Sequence, residues 1–338
     1  MSSDLYLILC RLRRVLAKFG LMIPQGWRLD LPKEASPIEQ FELMLKIAQE
    51  ADRLGFYSGF LYDHFHTYPT VTTNSCFECY TVLSAIAMRT SKLRLGQLVT
   101  CASYRNPALL AKMAASLDVI SKGRLDFGIG AGWYEGEYKS YGYRFETPAV
   151  RIRQLREAVQ IIKKMWTEEK ATFQGKYFTI DGAINSPKPI QKPHPPIIIG
   201  GSGEKLMLKV VAQLADRSNL GVSVTIDECV RKYSLIDQYC RDFGRDKHSV
   251  QRTLYREVYV SEDGQSAHSR ALQSKPSDLS EKAFLESRVI GDPDECVRQF
   301  NEYVEKAEVG YFMLRVPDAT ELEPIRLLAR EVLPKLPE

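Results

Sequence analysis

The chain has 338 residues, of which 44% are hydrophobic and 26% charged, with a formal net charge of +4. This length suits one decorated α/β barrel, and the composition excludes a disordered chain and supplies a sizeable core. The basic residues are dispersed except for Arg11, Arg13 and Arg14, so no basic stripe points to nucleic acid as a partner.

Leu5 to Leu16 is apolar but interrupted by arginines, too short and too charged to span a bilayer, and has no small-residue cleavage site. Residues 1–17, a short amphipathic helix or an extension, are therefore set apart from a domain covering 18–334. The first predicted strand is Lys18 to Ile23, ended by Pro24 and Gly26. A helix is predicted from about Pro37 to Leu54, with Phe41, Met44, Leu45, Ala48 and Ala51 at helical spacing and Gly55 as its stop. A second strand, Ser58 to Tyr62, precedes a Thr-rich loop and a helix over about Phe77 to Met88. A third strand, Leu93 to Thr100, is followed by a helix that starts at Pro107 and is closed by Gly123. The fourth strand is Leu125 to Gly130, and a long amphipathic helix covers Ala149 to Trp166.

Thr167 to Pro196 breaks this rhythm with aromatic residues around turns and then five prolines. We read it as a hairpin-and-loop insertion; a Pro-rich linker is the rival reading. Strand five is Ile197 to Gly200, followed by a helix from Glu204 to Ala215 and strand six at Ser218 to Leu220. Strand seven is Gln251 to Val260. Residues 262–290 are polar and poorly periodic, a mobile loop with helical pieces. Helix Pro293 to Ala307, strand eight at Tyr311 to Val316 and a last helix from Leu322 to Val332 complete the chain. Eight strands, mostly each followed by a helix, predict a (β/α)₈ TIM barrel with an insertion after strand four.

In such a barrel the site lies at the C-terminal ends of the strands. After strand two stands Tyr62-Asp63-His64-Phe65-His66, where a carboxylate beside an imidazole can hold or move a proton near neutral pH. The competing reading is a loop-capping Asp and a surface His. After strand five, Gly200-Gly201-Ser202-Gly203 leads toward a helix and offers a phosphate seat; a tight turn would also want glycine. On that reading a side chain at Gly201 would intrude on the anion. After strand four, Gly128-Ile129-Gly130-Ala131-Gly132-Trp133-Tyr134 lacks the full dinucleotide fingerprint and reads as backbone lying flat beside a planar ligand. Cys76 and Cys79 form a lone CxxC with His64 and His66 upstream. With no second pair, it reads as the start of an apolar helix rather than a metal site, and no metal is expected.

Several runs together resemble the bacterial luciferase-like oxidoreductases. They are Tyr62 to Thr67, Leu95 to Thr100 with Ser103 to Ala108, Asp118 to Leu125 leading to Gly130 through Glu135, and Pro193 to Gly201. The similarity is greatest to the branch that uses the deazaflavin coenzyme F420. The resemblance implies a cofactor lying across the barrel mouth. Its ring would rest against a strand-three bulge at Gln97 and Leu98, where relatives often hold a non-proline cis peptide. Thr100 would line the same wall, Asp63 and His64 would flank the reactive edge, Gly132 and Tyr134 would lie beside the cofactor, and Gly200, Gly201 and Ser202 would take its phosphate. It also implies a small-molecule substrate and a homodimer. Relatives that oxidise sugar phosphates or alcohols carry a Glu after the strand-four glycines; here that position is Trp133. The leading expectation is hydride transfer between coenzyme F420 and a small organic substrate, with His64 and Asp63 handling the proton. An FMN-dependent monooxygenase, a non-catalytic flavin-binding protein and a barrel lyase are the alternatives. The lyase lacks a carboxylate-rich metal cage and an evident Schiff-base lysine.

Overall fold

The strands are mostly short and buried, and in the computed structural model, which describes residues 17–221 and 223–336, they fall in a regular order. They are β1 (Lys18–Met22), β2 (Ser58–Leu61), β3 (Arg94–Gln97), β4 (Thr100–Cys101), β5 (Leu125–Gly130), β6 (Ala171–Gln174), β7 (Thr179–Ala183), β8 (Ile197–Gly200), β9 (Arg217–Leu220), β10 (Gln251–Val260), β11 (Val289–Gly291) and β12 (Tyr311–Arg315). Eight of them close a ring in the order β1-β2-β3-β5-β8-β9-β10-β12 and back to β1, with every pairing parallel. Helices follow the strands and pack outside, so the molecule is a (β/α)₈ barrel, as the alternation predicts. Ala17 alone of the expected N-terminal extension lies among the described residues, where it packs on the core.

Local signals set the helix ends. In helix Pro37–Leu54 the Ser36 hydroxyl accepts the Glu39 N–H while the Glu39 carboxylate accepts the Ser36 N–H at 2.7 Å, and Gly55 closes the helix at φ 83°. Reciprocal caps of the same kind start Ile226–Asp242 at Thr225 and Pro293–Ala307 at Asp292. The helices bury their apolar stripes against the outward-facing strand residues, among them Leu21, Leu61, Leu95, Phe127, Ile199 and Leu314.

The barrel interior has a polar floor. Asp126 is fully buried and pairs with Arg94 Nη2 at 2.5 Å and Arg217 Nη1 at 2.6 Å, and Tyr311 Oη donates to it at 3.3 Å. Above this floor the Phe60 ring fills the lumen. It fits because Gly96 is small: a Cβ there would stand 2.5 Å from Phe60 Cε1 and 2.3 Å from the Asp126 carbonyl oxygen.

The structure departs from the sequence expectations in several places, an unpredicted 17-residue helix, Ile226–Asp242, between β9 and β10 among them. The unbroken strand Leu93 to Thr100 is interrupted at the bulge that the resemblance implies: β3 ends at Gln97, a cis peptide joins Leu98 to Val99, and β4 resumes at Thr100, paired with β5. The segment 262–290 holds two capped helices, Gly264–Gln273 and Glu281–Glu286, and the unexpected strand β11, which extends the sheet alongside the end of β10. A small core of Tyr259, Ala267, Ala271, Phe284 and Ile290 holds it, too few apolar residues to leave a clear period. The helix after β8 begins at Met207, three residues later than predicted. A short helix, Glu135–Ser140, follows β5 where none was predicted. The hairpin expectation agrees with β6 and β7, which pair antiparallel. The proline segment after them is tied to the barrel, with Gln191 Nε2 donating to Asp118 Oδ1 and the Leu125 carbonyl, both at 2.7 Å.

Replacing Gly96 by Ala should destabilise the barrel by about 1–3 kcal/mol through overpacking. Gly221→Ala, with no atom within 4 Å of the added carbon, should be nearly neutral. Urea unfolding midpoints check this; equal shifts for the two variants would remove the packing account of Gly96.

Candidate functional site

The C-terminal ends of the strands surround a cavity of about 440 Å³. Leu98, Val99 and Ala131 give it an apolar wall, Trp27, Tyr62 and Tyr255 an aromatic one, and Gly130, Gly132, Gly200 and Gly201 leave its backbone open. Such size and lining are usual for small-molecule and cofactor sites.

His64 is the best-defined polar group on this cavity. Its Nδ1 lies 2.8 Å from Glu137 Oε2. A carboxylate only accepts, so Nδ1 carries the proton and Nε2 is the ring nitrogen left for a ligand. The ring lies parallel to Trp27, with centroids 4.2 Å apart and an interplanar angle of 5°. Glu137 is fully buried and takes two further hydrogen bonds, from the Phe65 N–H at 2.7 Å and from Tyr104 Oη at 2.7 Å. Burial pushes its acidity down, but the hydrogen bond and charge of His64, with the bonds from Phe65 and Tyr104, outweigh burial and hold the carboxyl below its ordinary range.

Asp63 does not serve His64. Its carboxylate faces the other way and receives Arg105 Nη1 at 2.6 Å, Arg105 Nη2 at 2.9 Å and the Cys101 N–H at 2.9 Å. The expected partnership of neighbours is thus replaced by one between residues 73 apart. Asp63, Glu78 and Cys79 lie close enough to share a metal ion, yet Arg105 also reaches Glu78 Oε1 at 2.8 Å, so a guanidinium already fills that role.

The other expected residues divide. Leu98, Thr100, Gly132, Gly200, Gly201 and Ser202 line the cavity. Thr100 shares a hydrogen bond of 2.9 Å with Tyr80 Oη. Gly132 sits at φ 72°, and a Cβ there would stand 2.0 Å from Tyr138 Oη. Gln97 is off the cavity: it shares a face of β3 with the outward Leu95, and its buried amide has no partner among the described residues. Tyr134 stands at the rim, stacked on Trp133 with centroids 5.2 Å apart.

The Gly200–Gly203 loop also differs from expectation. The helix dipole is a turn away, since the helix starts at Met207. Gly201 donates its N–H to the Asn219 carbonyl at 3.1 Å, and its missing Cβ would meet Met207 Cγ at 2.8 Å at a φ of 144°. A side chain there would therefore disturb packing rather than intrude on an anion. The N–H groups of Ser202 and Gly203 donate to no acceptor among the described residues, and buried Lys232 braces the loop from behind through the Ser202 carbonyl at 3.0 Å.

Sequence reasoning missed Glu137, Trp27, Arg28, Tyr104 and Glu257. Glu135, two residues after Trp133, is exposed and pairs with Lys139 at 2.8 Å. Glu257 is buried and lies 2.8 Å from Arg315, 2.9 Å from Arg288 and 3.6 Å from Arg28. Burial raises its pKa, but Arg315, Arg288 and Arg28 outweigh that and keep it low. Among the described residues no helix is long and apolar enough to cross a membrane.

Comparison with known proteins agrees with the barrel fold. An F420-dependent glucose-6-phosphate dehydrogenase of Intrasporangium calvum is 26% identical over 340 residues, covering 93% of this chain and 99% of the relative. An FMNH(2)-dependent dimethylsulfone monooxygenase of Pseudomonas putida is 30% identical over 157 residues, covering 46% of this chain and 42% of the relative. The solved structure of an F420-dependent secondary alcohol dehydrogenase in complex with an F420-acetone adduct superposes with a TM-score of 0.79 at 20% identity, covering 96% of this chain and all of that one, which shows the shared fold. The family model for luciferase-like monooxygenases matches residues 17–286, and the chain accordingly belongs to this family of oxidoreductases.

Proposed function

We propose that the chain transfers a hydride between a bound deazaflavin, coenzyme F420, and a small organic substrate, with His64 as the group that gives or takes the accompanying proton. The observation that carries this is the His64–Glu137 pair, buried on one side and presenting Nε2 to an apolar cavity on the other. The residues fit such a cofactor. Leu98, Val99 and Ala131 offer a wall on which a flat ring can lie, and the unengaged N–H groups of Ser202 and Gly203 suit a phosphate oxygen. When bound, a deazaflavin supplies a carbon that gives or accepts hydride, and reduced FMN supplies the further ability to react with oxygen. An FMN-dependent monooxygenase is the second reading, supported by the similarity to the dimethylsulfone monooxygenase.

The chain's own part is positional and electrostatic. Glu137 fixes the tautomer and plane of His64, Trp27 holds the ring from one face, and the buried surround excludes water from the proton's path. Asp63 acts at one remove: through Arg105 and the Cys101 N–H it ties the end of β2 to β4, which shapes the wall around Leu98 and Thr100. Domain 18–334 is proposed to act as one unit.

Absorbance titration with coenzyme F420 and with FMN tests the cofactor, and an oxygen electrode separates the two readings. Tight binding of FMN alone with substrate-dependent oxygen uptake would overturn the deazaflavin assignment; binding of neither would overturn both. His64→Ala, saturated with cofactor, should lose turnover by about a hundred- to ten-thousand-fold while cofactor affinity stays within about threefold. An unchanged rate with a lowered melting temperature would make His64 a packing residue.

Acid stability follows from Glu137. Its folded pKa lies below the unfolded value of about 4.3, so its contribution is fully present above that value and is lost as pH falls through the folded one. Wild-type stability should therefore fall more steeply between about pH 5 and 3 than that of Glu137→Gln. Urea unfolding across this range measures both slopes, and parallel curves would contradict the shift.

A further inference from the structure

Arg28 alone of the described arginines lines the cavity. It lies on the segment after β1, lines the cavity, and has a quarter of its side-chain surface exposed. Its single ion pair is with Glu257 at 3.6 Å, and it donates no hydrogen bond to any described residue. Glu257 is already taken at short range by Arg288 Nε at 2.9 Å and Arg315 Nη1 at 2.8 Å. The other carboxylate nearby, Asp30, accepts the N–H groups of Gln25 at 3.3 Å and Gly26 at 2.7 Å. Three guanidiniums thus face two carboxylates, both engaged elsewhere, and the unneutralised charge sits on the one that borders the cavity. The Arg28 guanidinium lies over the rings of Trp27 and Tyr68, at 5.4 and 5.5 Å, which fixes its plane and leaves its N–H edge unused.

We propose that Arg28 is a specificity-determining residue that selects a substrate carrying one oxyanion on a small apolar or aromatic body. The proposal rests on the reading of this cavity as the reaction site. An oxyanion would complete the hydrogen bonds that Arg28 lacks, in the forked geometry a guanidinium offers. Trp27, Tyr62 and Tyr255 supply the apolar wall for the rest of the molecule. This position is separate from the Gly200–Gly203 loop. β1 and β8 are four strands apart either way around the ring, so Arg28 and the loop stand on opposite sides of the mouth. The same oxyanion chemistry could come from an acidic tail on the cofactor, and the experiment separates the two sources.

The test uses benzoate and its neutral near-isostere benzamide, titrated by calorimetry into the full chain with cofactor bound and without it. Wild type should bind benzoate about ten- to a hundredfold more tightly than benzamide. Arg28→Gln should bring the two within about twofold, and Arg28→Lys, which keeps the charge without the fork, should retain part of the preference. Circular dichroism establishes that each variant is folded, and Arg28→Lys carries the test if Arg28→Gln is not. Equal binding of both probes to wild type, or a preference that survives Arg28→Gln, would overturn the proposal. Coenzyme F420 and its tail-free deazaflavin core are titrated in parallel. If Arg28→Gln weakens the coenzyme but not the core, Arg28 belongs to the cofactor tail and the substrate assignment falls. If neither cofactor binds wild type while the benzoate preference stands, the hydride-transfer reading fails and the oxyanion site remains.

Discussion

The three hydrogen bonds that converge on the Glu137 carboxylate organise the barrel mouth. They come from His64 Nδ1, the Phe65 N–H and Tyr104 Oη, and so join the loop after β2, the segment after β4 and the short helix after β5. A buried carboxylate without partners would neutralise or unfold its surroundings; with three, it becomes the fixed point against which His64 is aligned. The aromatic residues around it follow from the same need. Tyr104 and Tyr138 are buried and pack at 4.9 Å, and Phe65 lies 4.6 Å from Tyr104, keeping water from the carboxylate while leaving Nε2 of His64 as the outlet.

The alternation of strand and helix was legible because most strands of the ring carry an apolar run and several helices a side-chain cap. Ser36 with Glu39, and Gly55 after Leu54, illustrate signals that act within a few residues. The site was legible in place but not in wiring. His64 was found because it follows a strand end. Its partner was misassigned because Asp63 is its neighbour in sequence. Both residues border the cavity, but the Asp63 carboxylate is taken by Arg105 while His64 Nδ1 reaches Glu137. Glu137 lies on a helix of six residues, too short for a period, between the exposed Glu135 and Lys139. The one available signal was the density of tyrosines around it, at 134, 138, 141 and 143.

The glycine run after β8 carries a related lesson. Three glycines in four residues were read as a seat approached by a helix end. In the structure they serve several needs: Gly201 adopts a φ of 144° and abuts Met207, Gly200 lies against Val99 across the mouth, and only the N–H groups after them face no partner. Composition identifies where backbone must pass closely; it does not say whether the neighbour is a ligand or another segment of chain.

Two buried carboxylates, Asp63 and Glu257, line the cavity and a third, Glu137, stands behind His64; each is compensated differently. Asp63 has a forked guanidinium, Glu137 an imidazole with neutral donors, and Glu257 a group of arginines. Burying such groups costs several kcal/mol apiece unless they are paired, so the pairing is a condition of the fold before it is a feature of the site. What the pairing leaves over is chemically informative. At Asp63 nothing remains, since both oxygens are occupied. At Glu137 one imidazole nitrogen remains, suited to a proton. At Glu257 a guanidinium remains, suited to an oxyanion. The polar character of an otherwise apolar cavity is thus the residue of charge compensation in its walls.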